Sequence, residues 1–142
     1  MPMELEIKLS CDGVDWGAVR HTLMCVGMGY HEPDEHRRAF EASHTTAFAY
    51  HRGRMIGFGR AISDGVYQAA IYDCAVLPEY QGRGVGARIL ESIMLRISHC
   101  NVILYATPGK EGFYEKSGFR RMKTGMARFI KDASMRERGF TE

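Results

Sequence analysis

Apolar and polar positions alternate in several stretches of this 142-residue chain. Alternation with a period of two is typical of strands that bury one face. Pairs such as Arg52-Gly53, Asp64-Gly65 and Thr124-Gly125 separate neighbouring stretches and indicate turns. The pattern therefore predicts an antiparallel meander and a final hairpin. The predicted strands are Glu4–Leu9, Thr45–His51, Arg54–Ile62, Val66–Leu77, Asn101–Ala106, Phe119–Lys123 and Met126–Ile130.

Other stretches place apolar residues three and four positions apart, which is the spacing of a helix with one buried face. Gly118 and the glycines after Val26 are placed to end helices, and Pro33 can open one. The tail after Asp132 is either frayed or helical. The order of elements predicts a single α+β domain over residues 1–142. The predicted helices are Asp15–Met28, Asp34–Ser43, Val85–Ser98 and Lys110–Ser117.

Composition narrows the classes of function. A net charge of +2 gives no strong field for nucleic acid or a membrane surface, and no run approaches the roughly 20 apolar residues of a membrane span. The four cysteines have neither CxxC spacing nor a histidine at metal-ligand spacing. We therefore expect no metal, no nucleic acid and no membrane partner. Free thiols, nine methionines and a beginning without an apolar signal-peptide core favour the cytoplasm.

A glycine-rich loop between a strand and a helix is the most informative segment. It reads Gln81-Gly82-Arg83-Gly84-Val85-Gly86-Ala87. Glycines at alternate positions leave backbone N–H groups uncovered, and the helix that follows adds its own N–H groups and the positive end of its dipole. We therefore expect this loop to bind a pyrophosphate.

Two other nucleotide-binding motifs are alternative interpretations of this loop. Its spacing matches the G-x-G-x-x-G/A dinucleotide fingerprint, which alone is a weak signal. That fingerprint requires a carboxylate about 20 residues later, whereas residues 101–107 contain none. A P-loop is excluded because no Gly-Lys-Ser/Thr follows. A glycine-rich turn without a ligand is the remaining alternative.

Two blocks resemble the GCN5-related N-acetyltransferase (GNAT) family. Residues 76–86 look like its acetyl-CoA signature, R/Q-x-x-G-x-G/A, and residues 112–119, Gly-Phe-Tyr-Glu-Lys-Ser-Gly-Phe, look like its "FYEKxGF" element. Residues 63–73 are also similar to bacterial members and to plant chloroplast arylalkylamine acetyltransferases. The resemblance implies a GNAT-like fold, in which an antiparallel meander is followed by splayed parallel strands in one mixed sheet flanked by helices.

The resemblance implies acetyl-CoA as cofactor. A bulge in the strand before the loop would splay it from the next strand, and the pantetheine arm would lie between them. The backbone N–H of Val76 would donate to the acetyl carbonyl. Pro78 fits this arrangement because it lacks an N–H where pairing must end. The residues implied to hold acetyl-CoA are Cys74, Ala75, Val76, Gln81, Gly82, Arg83, Gly84, Val85, Gly86, Ala87 and Tyr114.

Tyr114 is the expected general acid, by its place in the second block. A phenol with a pKa near ~10 is protonated at neutral pH and can protonate a leaving thiolate. The alternative is a helix aromatic that packs beside Phe113. Asp73 is the candidate general base, with a structural carboxylate as the alternative, and a water relay is also open. Tyr72, His31 and Glu32 are the candidate acceptor-site residues, the last two in the segment that walls this site in the family.

These observations predict an acetyl-CoA-dependent N-acetyltransferase that acts on a primary amine of a small molecule or a protein, with a homodimer possible. The alternative from another class is a non-catalytic acyl-CoA-binding regulatory module. A nucleotide-binding oxidoreductase would instead bind NAD(H).

Overall fold

Five strands form one mixed sheet in the order β1-β2-β3-β4-β5. The computed structural model describes residues 3–142, which divide into one unit that ends at Leu104 and a second over Tyr105–Glu142. The sheet lies in the first unit, where β1 to β4 pair antiparallel and β5 joins β4 in parallel. The strands are β1 Glu6–Lys8, β2 Thr45–His51, β3 Arg54–Ser63, β4 Gln68–Val76 and β5 Asn101–Ile103. The first unit's helices are α1 Trp16–Cys25, α2 Pro33–Glu41, a 3₁₀ turn Pro78–Tyr80, and α3 Val85–Arg96.

The ends of α1 show why this helix has its bounds. The Asp15 side chain accepts a 3.1 Å hydrogen bond from the Ala18 N–H and caps the first turn. At the other end Gly27 takes a left-handed φ of 74°. The N–H groups of Gly27 and Met28 then reach back to the carbonyl oxygens of Met24 and Leu23, which is a Schellman motif.

Helices cover both faces of the sheet. On one face the α1–α2 pair buries aromatic rings, with Phe40 of α2 against Phe48 and Phe58 at 5.6 and 5.8 Å between ring centroids. On the other face α3 approaches β3 closely, because β3 has glycine there. A Cβ on Gly57 or Gly59 would lie 2.8 Å from the Ala75 carbonyl oxygen or 2.7 Å from the Cys74 sulfur.

The α+β class and the mixed sheet are confirmed, with helices on both faces. The parallel pairing is short. It spans only Gln68–Ala70 on β4, opposite Asn101–Ile103, while β4 continues to Val76. The predicted strand Asn101–Ala106 therefore ends three residues early, since its pairing with β4 stops at Ile103.

The predicted final hairpin is wrong. Residues 119–130 contain no strand, and the second unit instead has helices α4 Glu111–Glu115 and α5 Asp132–Glu137. The alternation in this stretch buries no apolar face, since Met126 is 98% exposed and Ile130 103%. A hairpin without an apolar face to bury is marginal at best. Within this unit the rings of Tyr105, Phe129 and Phe140 contact one another at 5.4 to 6.3 Å between centroids.

Candidate active site

The loop between β4 and α3 has the open backbone that an anion requires. Gly82 and Gly84 have φ of 75° and 82°, and a Cβ built on either would meet no atom within 4 Å. The first intrahelical hydrogen bond of α3 runs from the Arg88 N–H to the Gly84 carbonyl oxygen. The N–H groups of residues 85–87 therefore precede the helical ladder and are available at its positive end. These residues fit a pyrophosphate group.

Side chains fix the shape of this loop. The Gln81 amide donates a 2.9 Å hydrogen bond to the Val76 carbonyl oxygen, which joins the loop to the last residue of β4. The Arg83 guanidinium lies over the Tyr80 ring at 5.2 Å, and Tyr80 also contacts the His51 ring. The Gln81 side chain thus has a structural role, because it holds the loop against the end of β4. The Gln81 backbone remains part of the predicted cofactor loop.

A β-bulge interrupts β4 just before the loop. Phe58 pairs with Ala75 and Arg60 with Tyr72, so Asp73 and Cys74 together face the single residue Gly59. Asp73 has φ of 54°, which is unusual for a residue with a side chain. The bulge lies where β4 continues beyond its pairing with β5. Cys74, Ala75 and Val76, which the resemblance assigns to the pantetheine arm, lie on this part of β4.

Asp73 is one half of an ion pair inside the sheet. Its Oδ2 accepts a 2.7 Å hydrogen bond from Arg60 Nε, and the Arg60 and Asp73 side chains are 15% and 24% exposed. The Arg60 guanidinium lies over the rings of Phe40 and Tyr72, at 5.6 and 5.5 Å. The carboxylate therefore has a structural partner in addition to its predicted role as a base.

The bulge also changes which side chains share a face. Plain alternation separates Tyr72 from Asp73. In the structure both contact Arg60, so both lie on the face that carries α2. Cys74 points the other way, since its sulfur lies next to the site where Gly59 would carry a Cβ. Two candidate residues that alternation would part are brought together by one extra residue in β4.

The segment between α1 and α2 places His31 and Glu32 at the start of α2. The Glu32 carboxylate accepts from the backbone of Glu35 and the Glu35 carboxylate from the Glu32 N–H, which forms a capping box. Arg20 also lies 3.8 Å from the Glu32 carboxylate. The His31 backbone N–H donates to Nε2 of His36. Glu32 therefore has a structural role in the helix cap.

Arg60 and His36 are the residues near this region that the sequence did not single out. For each of them the sequence contains a feature that indicates a buried polar residue. Arg60 is a charge inside an otherwise apolar stretch from Met55 to Ile62, and His36 stands four residues before the buried Phe40, on the same face of α2.

Tyr114 lies on α4 in the second unit. Its half-buried ring contacts Phe113 at 5.0 Å and Phe119 at 6.0 Å between centroids. These contacts position the ring of the predicted general acid. Within residues 3–142 the structure shows no cluster of three metal-ligating side chains and no helix long and apolar enough to cross a membrane.

Comparison with known proteins finds acetyltransferases of one family. The family model for the acetyltransferase (GNAT) domain matches residues 20–136. Serotonin N-acetyltransferase 2 of rice, a chloroplastic protein, is 32% identical over 120 residues, which are 80% of this chain and 60% of the relative. GCN5-related N-acetyltransferase 1 of Arabidopsis thaliana, also chloroplastic, is 39% identical over 69 residues, 46% of this chain and 35% of the relative.

The fold has solved counterparts as well. A GNAT-family acetyltransferase of Streptococcus pneumoniae superposes with a TM-score of 0.77 at 24% identity, over 90% of this chain and 99% of that one. At this identity the likeness concerns the fold alone. The chain spans 60% or less of the length of the plant relatives named above.

Proposed function

Because the chain belongs to the GNAT acetyltransferase family, we propose that it moves an acetyl group from acetyl-CoA directly to a primary amine. The observation that carries this proposal is the continuous site on β4, its bulge and the glycine loop. A loop with an open glycine backbone follows a strand that continues beyond its pairing with β5. These are the two features that an extended pyrophosphate-pantetheine cofactor requires.

The residues divide by the part of the cofactor they would hold. The backbone of residues 81–87 would bind the pyrophosphate, and Cys74 to Val76, on the part of β4 beyond its pairing with β5, would bind the pantetheine arm. When bound, acetyl-CoA supplies a thioester whose carbonyl carbon accepts the amine. The Val76 N–H would donate to the carbonyl oxygen as negative charge develops there.

Proton transfer completes the reaction. The new bond would be C–N and the broken bond C–S, and the Tyr114 hydroxyl would give its proton to the leaving thiolate. The nitrogen of the new amide would lose one proton, which would return through water to the Tyr114 phenolate. The amine must first be neutral, because an ammonium has no lone pair. An alkyl amine with a pKa near ~10 is less than about 1% neutral at pH 7. Since the Asp73 and Glu32 carboxylates already bind Arg60 and the α2 cap, we propose that water carries the amine proton away.

The acceptor is proposed to lie beside Tyr72, His31 and Glu32. The rice relative is a serotonin N-acetyltransferase, which makes an arylethylamine the first acceptor to test. We also propose a homodimer and a reducing location such as the cytoplasm, which suits the thiols of Cys11, Cys25 and Cys100.

The test measures the release of CoA thiol by the purified protein with serotonin, spermidine, a lysine peptide and an N-terminal peptide amine. We expect turnover with at least one amine, and kcat/KM that rises from pH 6 to a plateau above about pH 8. Calorimetry with acetyl-CoA and with NADH runs alongside. Acetyl-CoA binding without thiol release would favour the non-catalytic module, and binding of NADH alone would favour the dinucleotide alternative.

A further inference from the structure

The start of α2 is held by a histidine that the proposed reaction does not use. His36 lies in the first turns of α2 and is only 3% exposed. Its Nε2 accepts a 2.9 Å hydrogen bond from the backbone N–H of His31. A ring nitrogen that accepts a hydrogen bond carries no proton, so His36 is neutral here and its proton is on Nδ1.

The same two residues also contact through their side chains. The His31 and His36 rings meet edge to face, with 5.6 Å between their centroids. His31 directly precedes the N-cap Glu32, and His36 is the fourth helical residue, which are the two positions that a hydrophobic staple joins. The direction in which the chain runs into α2 therefore depends on this pair together with the capping box.

Charged and titratable groups on α2, β3, β4 and the segment before α2 also lie near His36. The groups that face it are Glu35 on its own helix, His31 before the helix, Arg60 on β3 and Asp73 on β4. Burial lowers the pKa of His36 below the ordinary histidine value, because the charged ring is poorly solvated there, and Asp73 opposes this effect only in part. His36 is therefore neutral at pH 7, and acid is needed to charge it.

We propose that His36 is a pH-sensitive latch on the segment between α1 and α2. While neutral, it holds the His31 N–H and fixes the segment. Once protonated, both ring nitrogens donate, so the His31 N–H loses its acceptor and the segment is released. The link to catalysis rests on the proposed function, which assigns this segment to the wall of the acceptor site. Release then weakens amine binding at acid pH.

The stability linkage has a definite sign. The unfolded chain binds a proton on His36 at the ordinary pKa of about 6.5, whereas the folded chain binds it only at a lower pH. The neutral latch thus contributes full stability above about pH 6.5. This contribution is lost as the pH falls through the folded-state pKa.

Nuclear magnetic resonance tests the latch without any need for enzymatic activity. The titration is run on the wild type, on His36→Gln, whose amide oxygen accepts at every pH, and on His31→Phe, which keeps the N–H and a ring but removes the second imidazole. In His31→Phe we expect the amide of residue 31 and the His36 ring to share one midpoint below about pH 6.5. In His36→Gln the amide should not follow that transition. An amide of residue 31 that ignores the His36 titration, or a His36 ring that titrates at or above the ordinary value, would overturn the latch.

Kinetics tests the link to the acceptor site. The KM for the amine is compared between the wild type and His36→Gln at each pH, so that protonation of the amine itself cancels. We expect a KM ratio near one at pH 7.5 and about fivefold at pH 5.5, the factor that one lost hydrogen bond gives. The Kd for acetyl-CoA should stay the same in both proteins. His44→Gln, at an exposed histidine of the same unit, should track the wild type.

The two measurements separate the possible failures. A KM ratio that stays flat while His36 titrates as expected would reject the effect on the acceptor site. If no amine is acetylated at all, the proposed function fails, and the titration of residue 31 still decides whether the latch exists.

Discussion

At the scale of single residues, Arg60 is a largely buried charge that contacts several polar and aromatic side chains. Its guanidinium binds the Asp73 carboxylate, lies against two aromatic rings, and donates to the Ser43 hydroxyl oxygen at 3.3 Å. A largely buried charge with these partners holds its neighbours in place, because each partner lost would leave it poorly compensated. Asp73, which has the strained φ, is thus tied down at the point where β4 bulges.

Asp73→Asn tests whether this carboxylate is structural or catalytic. Asparagine tolerates the left-handed conformation and removes only the charge. We expect the alkaline rise of kcat/KM to persist, with the free energy of unfolding lower by on the order of 1–3 kcal/mol because Arg60 loses its partner. In a double-mutant cycle, Arg60→Gln should lower the free energy of unfolding by less in the Asp73→Asn background than in the wild type. A folded Asp73→Asn protein that lacks the alkaline rise would identify Asp73 as the base.

Tyr114→Phe tests the general acid. This change keeps the ring contacts with Phe113 and Phe119 and removes one hydroxyl. We expect kcat to fall by about 10² to 10⁴, with little change in the Kd for acetyl-CoA. Tyr67→Phe, at an exposed tyrosine, serves as the control. A kcat within about twofold of the wild type would mean that Tyr114 only packs.

At the scale of elements, β4, the glycine loop and α3 together form the predicted cofactor site. The bulge interrupts β4 beyond its pairing with β5, the hydrogen bond from Gln81 to Val76 joins the loop to the strand, and α3 presents its first N–H groups. Glycines in β3 let α3 come close enough to support the strand from the far side.

Gly84→Val tests the anion-binding role of the loop. Gly13→Val is a matched control, since both glycines have positive φ and open space around the Cβ position and so suffer similar backbone strain. We expect calorimetry to show that only Gly84→Val loses at least tenfold in acetyl-CoA affinity, or ~1.4 kcal/mol. Gly86→Asp, which adds a negative charge, should behave in the same way. Unchanged affinity in both loop variants would reject the cofactor assignment.

Gly59→Ala tests the close approach of α3 and the bulge. Its Cβ would lie 2.7 Å from the Cys74 sulfur and 3.0 Å from Ile93 Cδ1. Overpacking of this kind costs about 1–3 kcal/mol, so thermal unfolding should occur at a lower temperature. Gly29→Ala, with nothing within 4 Å, should leave Tm nearly unchanged. Cys74→Ala should rescue part of the loss, and the absence of any loss in Gly59→Ala would contradict the packing described.

At the scale of the whole molecule, the first unit contains the sheet and the glycine loop, and the second contains the predicted general acid. The second unit also exposes apolar side chains. Met126 and Ile130 lie almost wholly in solvent, and Met122 is 58% exposed. Exposed apolar groups of this size often mark an interaction surface.

The homodimer prediction follows from this exposure. We expect light scattering at high micromolar concentration to give twice the mass of one chain. Met126→Asp together with Ile130→Asp should give monomers, because a charge at each position cannot be buried without a partner. Lys123→Asp, a polar change in the same stretch, is the control. A wild-type monomer mass at that concentration would reject the dimer.

The sequence by itself determined the order of the elements as far as α4, and it determined the glycine loop. Both depend on local chemistry, namely the periodicity of apolar positions and the ability of Gly82 and Gly84 to adopt a positive φ. Only the tertiary structure decided which charged side chains form an ion pair. Arg60 and Asp73 are 13 residues apart and pair because β3 and β4 share a register with one bulge, which alternation does not reveal. The alternating stretch from Phe119 to Ile130 formed no strand for a related reason. A strand needs an apolar face to bury and a neighbour to pair with, and neither is encoded in its own alternation.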